Sequence, residues 1–265
     1  MGNAVLLEPA AVERVTSSST ADGYRAAFVA RDEPGLAWRS TPGAASQWLV
    51  LDLGADVPLD MVVLTGLRGA LASWNWSIDL ATAAQGAFTG AYWSGASATL
   101  LAGSAMPTSG LGKALWLAPD DAPAAARYLR LTFSGLGLLP VEVSRVVAGA
   151  RIQLARNFRF GAGFGVRPLG KVDFTRRGVF ARQRGVKLRA VGISFGHIYR
   201  DEVEERVQPL LERNGNDETL VIVTDPDAHA QRQQRIFFGF LTGDLGTILA
   251  RPGGYSCDFN LVALA

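Results

Sequence analysis

Residues 73–80 read Ser-Trp-Asn-Trp-Ser-Ile-Asp-Leu, and this alternation restricts the chain more than any other feature. In an extended strand, successive side chains point to opposite faces. Trp74, Trp76, Ile78 and Leu80 therefore share one face, and Ser73, Asn75, Ser77 and Asp79 the other. One face suits a core and the other suits water, as in an antiparallel sheet wetted on one side. The same period returns at 127–133, where Leu129, Leu131 and Phe133 alternate with Tyr128, Arg130 and Thr132. Further short strands are expected at 47–53, 61–67, 114–117 and 141–147, with Gly, Ser, Pro and Asp between them. No stretch of this half has helical period, so a β-sandwich or jelly roll is expected. Trp38, Trp48, Trp74 and Trp76 are assigned to its core. Trp48 is expected to anchor that core from its strand, which Asp52 and Gly54 would end in a turn.

The 265 residues suit one or two domains. With 48% apolar and 19% charged residues, the chain can bury a sizeable core and is not a disordered one. The apolar runs 48–51 and 61–64 are far shorter than the ~18 residues a membrane span needs. The first nine residues lack a basic region and carry Glu8 after a short apolar stretch, so no signal peptide is expected. The lone cysteine, Cys257, excludes an intrachain disulfide and a cysteine zinc cluster and suits a reducing compartment. It lies on the apolar side of an alternating segment and is expected to be a small buried residue. Charge is uneven. Residues 1–150 hold nine Arg/Lys against twelve Asp/Glu, and residues 151–265 hold seventeen against twelve. Two units are therefore expected: residues 1–150, and a β domain over 171–265. Residues 151–170, whose stretch 157–165 is rich in Gly and Phe, read as an arm or linker.

The second half reads as strands at 171–177 and 186–195, one helix at 201–213, and strands at 219–224, 235–241 and 255–261. Asp201 with Glu204 forms a capping-box pattern. Val203, Val207, Leu210 and Leu211 make one apolar face, and Asn214-Gly215 offers a stop. Pro209 is the flaw, because a proline inside a helix costs about 3 kcal/mol. Asp225-Pro226-Asp227 reads as a turn. The fold class expected is thus mainly β: a jelly-roll sandwich followed by a smaller β-sandwich or barrel domain with one helix.

Five ordered elements of the first half resemble the discoidin (coagulation factor 5/8 C-type, galactose-binding-like) pattern. They are Val15-Thr-Ser-Ser-Ser19, Trp38-Arg-Ser40, Gln47-Trp-Leu-Val-Leu-Asp-Leu-Gly54, Ala126-Arg-Tyr-Leu-Arg-Leu131 and Val141-Glu-Val143. The resemblance implies a binding module that holds sugars or phospholipid head groups with loops at one end. Its sugar-binding members typically use a histidine with two arginines. Residues 1–150 contain no histidine, since His197 and His229 lie beyond them. Residues 165–265, through Leu220-Val-Ile-Val-Thr-Asp-Pro-Asp227 and Ile236-Phe-Phe-Gly239, are similar in element order to tail-tube-like modules of bacteriophage distal tail and baseplate proteins.

Candidate ligand-binding residues are Tyr92 and Trp93, in the Gly/Ser/Ala-rich segment 85–112, and Arg68 and Arg39 beside predicted loops. An aromatic ring on such a loop can stack on the C–H patch of a sugar, or it can continue a strand and pack inward. Seven basic residues between Lys171 and Arg189 face only Asp173. Among them Arg176, Arg177, Arg182, Arg184, Lys187 and Arg189 form a candidate oligomer or partner surface, or the solvated face of a hairpin. Gly192-Ile-Ser-Phe-Gly196 matches the G-x-S-x-G nucleophile motif in letters. That motif needs a strand-to-helix turn on a parallel sheet, which this pattern lacks. Asp225, Asp227 and His229 are too few ligands for a metal, and no phosphate-binding fingerprint is present. No enzyme, cofactor or metal is expected, and nucleic acid is an unlikely partner.

These features and resemblances together imply a structural part of a phage or phage-like tail tip. It would be assembled in the bacterial cytoplasm, with a ring-forming second domain that meets other tail proteins and a sandwich that binds host glycan or decorates the ring. The alternatives are a non-viral bacterial carbohydrate-binding protein and, remotely, a serine esterase.

Overall fold

A computed structural model describes residues 2–174 and 176–264. The fold is mainly β, and Ala125–Ser134 with both its neighbours, Arg145–Gly149 with Met61–Arg68, and Lys187–Tyr199 with Gly254–Ala263 pair antiparallel. The chain divides into two units whose segments interleave. One holds Leu7–Arg151 and Asp225–Ile236, and the other Met1–Leu6, Ile152–Thr224 and Phe237–Ala265.

The first of these is a sandwich. Its larger sheet runs in the order Arg14–Ser17, Ser46–Pro58, Ala125–Ser134, Asn75–Ala81 and Trp93–Ser94, with Ala98–Thr99 also on Asn75–Ala81. Its second sheet runs Arg145–Gly149, Met61–Arg68, Glu142–Val143 and Trp38–Arg39, with Leu111–Leu117 also on Met61–Arg68. Leu49, Leu51, Ile78, Leu80, Leu129, Leu131 and Phe133 from one layer meet Val62, Leu64, Ala114, Val143 and Val146 from the other in one buried cluster. The alternation expected at 74–80 and 127–133 is realised there.

Trp38, Trp74 and Trp76 are buried, but Trp48 is 38% exposed and does not anchor the core. The period explains the correction. With Gln47, Leu49, Leu51 and Leu53 turned inward, Trp48 must point out. Nor do Asp52 and Gly54 end the strand, which continues to Pro58. Gly54 takes φ +81 and donates to Asp52 Oδ1 at 2.9 Å. The pairing with Ala125–Ser134 slips beside it, which makes a bulge rather than a turn.

The segment 225–236 belongs to this unit. Buried Gln233 accepts from Lys113 N–H at 2.8 Å and donates to Ala105 O at 2.8 Å. Ser104 N–H donates to Ala230 O at 3.2 Å. Gly103 permits the approach: a Cβ there would come within 2.5 Å of Ala230 O.

The other unit is built on an eight-stranded sheet, ordered Arg151–Gln153, Val5–Leu7, Thr219–Val223, Ile236–Leu241, Gly254–Ala263, Lys187–Tyr199 and Gly163–Pro168, with Thr247–Arg251 on Gly254–Ala263. Residues 151–170 thus carry two strands. A two-stranded ribbon, Lys171–Phe174 with Phe180–Gln183, continues the hairpin of Gly163–Pro168 and Lys187–Tyr199, with Leu169 N–H donating to Val186 O at 2.9 Å between them. One helical run, Arg200 to Asn214, packs Val203, Val207, Leu210 and Leu211 onto Ile193, Phe195, Ile222 and Phe259. It begins a residue earlier than expected, and Glu202 rather than Asp201 supplies the cap, accepting from Tyr199 N–H at 3.3 Å. Pro209 is accommodated by a π segment over Val203–Val207, which re-spaces the turn before the missing N–H. Gly215, at φ +49, stops the helix by donating to Leu211 O at 3.0 Å. Among the described residues no helix is long and apolar enough to cross a membrane.

Candidate functional site

The four residues proposed from sequence as ligand contacts fall into two groups. Arg39 ends Trp38–Arg39, Arg68 ends Met61–Arg68, and Glu142 begins Glu142–Val143, so three strand termini of one sheet meet. The Glu142 carboxylate is buried and accepts from Arg39 Nε at 2.7 Å and from Arg68 Nε at 3.1 Å. The Arg39 guanidinium also lies 4.5 Å above the Tyr24 ring. Two guanidiniums on one carboxylate leave one excess positive charge. Both arginines remain partly exposed at this end of the sandwich.

Tyr92 and Trp93 lie elsewhere, at the edge of the larger sheet, where Tyr92 meets Arg130 of the outer face and Trp93 turns toward the core. Register places Arg130 opposite Asp79 and Asp79 opposite Ser94. The Arg130 guanidinium donates from Nε to Asp79 Oδ2 at 2.8 Å and from Nη2 to Tyr92 Oη at 2.8 Å. It also sits 4.5 Å from the Phe88 ring centre and 5.0 Å from that of Tyr92. Phe88 and Tyr92 meet edge to face at 5.2 Å. Ser94 Oγ donates to Asp79 Oδ1 at 2.6 Å, so both carboxylate oxygens of this nearly inaccessible aspartate are engaged. That explains how Asp79, on the face read as wet, can be buried.

Tyr92 stays exposed. Its hydroxyl is tied by Arg130 and its ring edge by Phe88, so the ring is presented in one orientation. Phe88 holds φ +62, a conformation that bulky side chains rarely adopt and that concentrates at functional sites. Trp93 is half-buried. Its indole N–H donates to Asp121 Oδ2 at 3.2 Å, and its ring lies 6.0 Å from that of Trp116. Opposite Leu80 in the register, it turns inward and packs against the buried cluster, so it continues the strand rather than offering a free ring, while Tyr92 faces solvent. Sequence reading missed Arg130, Phe88, Asp79 and Ser94 as members of this group. The alternation at 127–133 put Arg130 on the outer face, but its partners come from strand pairing and from a loop 38 residues away.

Of the candidate partner surface, Arg176, Arg177, Arg182, Arg184 and Lys187 are exposed, whereas Arg189 is half-buried with its guanidinium 4.5 Å over Phe237. Gly192 to Gly196 lies inside Lys187–Tyr199, where Ser194 pairs with Asp258, so no nucleophile elbow forms. Asp225 and Asp227 make a local turn, Asp227 N–H donating to Asp225 Oδ1 at 3.3 Å. His229 Nε2 lies 3.6 Å from Asp225 Oδ2. Among the described residues no group of three or more His, Cys, Asp or Glu side chains could hold a metal ion.

No family model matches the chain, and no curated protein matches it. Solved structures do align. A chitosan-binding module 1, from a chitosanase/glucanase of Paenibacillus sp. IK-5, is 18% identical over 54% of this chain and 99% of its own, with a TM-score of 0.39. The lectin domain of lectinolysin complexed with Lewis B antigen is 16% identical over 53% and 95%, also at 0.39. A Streptococcus pneumoniae fucose-binding module, SpX-3, is 11% identical over 54% and 98%, at 0.39.

Proposed function

We propose that the chain is a non-enzymatic carbohydrate-binding protein whose sandwich presents a sugar platform at Tyr92 and Arg130. The observation that carries this reading is the exposed Tyr92 ring, fixed by Arg130 and Phe88 beside the buried Asp79 carboxylate that the exposed Ser94 hydroxyl also bonds. A sugar ring has an apolar C–H face and a rim of hydroxyls. An oriented aromatic ring suits the first, and a guanidinium edge with neighbouring hydroxyls suits the second. Pre-fixing the ring lowers the ordering cost of binding a weak ligand. The strand setting of Ser194 is in keeping with a binding rather than a hydrolytic role. The tail-tip reading rests on the element order and the runs 220–227 and 236–239 of residues 165–265, joined to a binding sandwich, and no comparison supports it.

The test is a glycan array with the full-length protein, followed by titration calorimetry of the best glycan. Tyr92→Ala is expected to weaken binding about tenfold or more, equivalent to at least about 1.4 kcal/mol. Arg68→Ala, at the other cluster, is expected to leave it within about twofold, well under that step. The reverse pattern would move the site to the Arg39–Glu142–Arg68 end, and a protein that binds no glycan would end the proposal.

A further inference from the structure

The outer face of the larger sandwich sheet carries a second exposed aromatic ring. Period two turns Trp48 outward, onto the face that also bears Arg130. Its backbone is fixed by Ser18, whose Oγ accepts from Trp48 N–H at 2.9 Å and whose N–H donates to Trp48 O at 3.0 Å. Among the described residues its indole N–H has no partner. Pairing places Trp48 opposite Thr132, and Thr132 opposite Ser77. The next row on that face is Val50, Arg130, Asp79 and Ser94. Trp48 is thus diagonal to Arg130, about 7–8 Å away. The Arg130 guanidinium in turn lies 5.0 Å from the Tyr92 ring centre. Sheet order puts the strand of Trp48 on one flank of Arg130 and the strand that follows Tyr92 on the other. Two aromatic rings therefore flank Arg130, with the half-buried side chains of Thr132 and Ser77 beside it.

A single surface tryptophan would be ordinary. Here the ring shares its face with hydroxyls that bond nothing else among the described residues, those of Thr132 and Ser77, and with a cation already neutralised by Asp79. One sugar ring cannot lie on Trp48 and Tyr92 together, because Arg130 and a diagonal step of the sheet separate them. A chain of linked sugars can, with apolar C–H faces on the two rings and hydroxyls over Thr132, Ser77 and Arg130. The Arg130–Asp79 pair leaves no excess charge at the middle of this path, which favours a neutral chain over an acidic one. We propose that Trp48 is a second stacking platform and that the ligand is a neutral linear glycan of several linked sugars, laid across the strands rather than held by one terminal sugar. This inference rests on the sugar platform at Tyr92 and Arg130 and extends it.

Titration calorimetry of the full-length protein with oligosaccharide ladders of one to six sugars, built of glucose, N-acetylglucosamine, mannose or galactose, reads the dependence on chain length. Affinity is expected to rise about tenfold or more from the shortest bound member to the longest. Trp48→Ala should lose about fivefold or more of the affinity for the longest member and keep that for the shortest within about twofold. Trp48→Phe, which keeps an aromatic face, should recover most of the loss. Thr132→Val, which keeps the branched shape and removes the hydroxyl, should weaken the longest member about two- to threefold. A variant that merely folds poorly would lose short and long glycans alike. Equal loss of both in Trp48→Ala would therefore overturn the proposal, and so would wild-type affinity that does not rise with length. In either case a loss of binding in Tyr92→Ala would leave the first platform standing. A galacturonic acid oligomer that binds more tightly than every neutral ladder would overturn the neutral class. Failure to bind any of these probes would end the platform and its extension together.

Discussion

The outer face of the large sandwich sheet and the ribbon of the other unit are both solvent faces of antiparallel strands, yet they treat charge and aromatic rings differently. On the sandwich the charges are matched: Arg130 to Asp79 and Arg127 to Asp52, the latter pair by two bonds of 2.8 and 3.0 Å. Its exposed ring, Tyr92, is tied at its hydroxyl. On the ribbon, Phe174 and Phe180 make a ring contact with each other, and arginines outnumber carboxylates. Internal pairing lets a surface hold a fixed shape for a small neutral ligand. An unmatched apolar and cationic surface is suited to a large, complementary one.

The largest effects should separate core from ribbon. Phe133→Ala and Phe259→Ala, each removing a fully buried ring, should cost about 3–5 kcal/mol in denaturant unfolding. Phe174→Ala should cost no more than about 0.5 kcal/mol in monomeric protein. A large cost there would mean that the ribbon is covered within its own chain and would break the contrast.

Arg130→Ala comes next, because it strands the Asp79 carboxylate away from water. The cost should be about 2 kcal/mol, discounted for the partial exposure of Arg130, and Asp79→Asn should recover much of it in the double variant. A neutral single variant would show that solvent reaches Asp79.

A smaller effect is expected in acid. The hydrogen bonds from Arg127, with help from Gly54 N–H and against a desolvation cost, hold the Asp52 carboxyl below its ordinary 3.8. A carboxylate held low in the folded state stabilises it above the unfolded value, and that stabilisation fades as pH falls below 3.8 towards the folded value. Asp52→Asn should remove about 0.5–1 kcal/mol at pH 7 and flatten the acid limb of stability below the ordinary carboxylate value of 3.8.

The smallest effect is on Cys257, whose thiol burial pushes up to about 12. Native protein should resist alkylation by iodoacetamide at pH 8 and react once denatured. Rapid native alkylation would show that the strand Gly254–Ala263 opens.

Period two made the strands legible: Asn75–Ala81 and Ala125–Ser134 lie within two residues of expectation. The same rule, applied strictly, would have turned Trp48 outward, but its size and aromatic character argued for the core. Cys257 is buried as expected. The helix was legible from its apolar face, whereas the π segment that rescues Pro209 has no separate signature in the letters. Site membership was least legible. Arg39 and Arg68 converge on Glu142, which is 103 residues from Arg39. Tyr92 depends on Arg130 through a pairing that only the three-dimensional register creates.

The interleaving of segments bears on how the molecule comes into being. Synthesis runs from the amino end, so strand Val5–Leu7 is made long before Thr219–Val223 and Arg151–Gln153, which flank it in the finished sheet. The sandwich in turn waits for Gln233 to fill the backbone groups of Lys113 and Ala105. Neither unit can be completed by an uninterrupted stretch of chain. A polypeptide severed after Arg151 would leave each fragment short of a piece that the other carries.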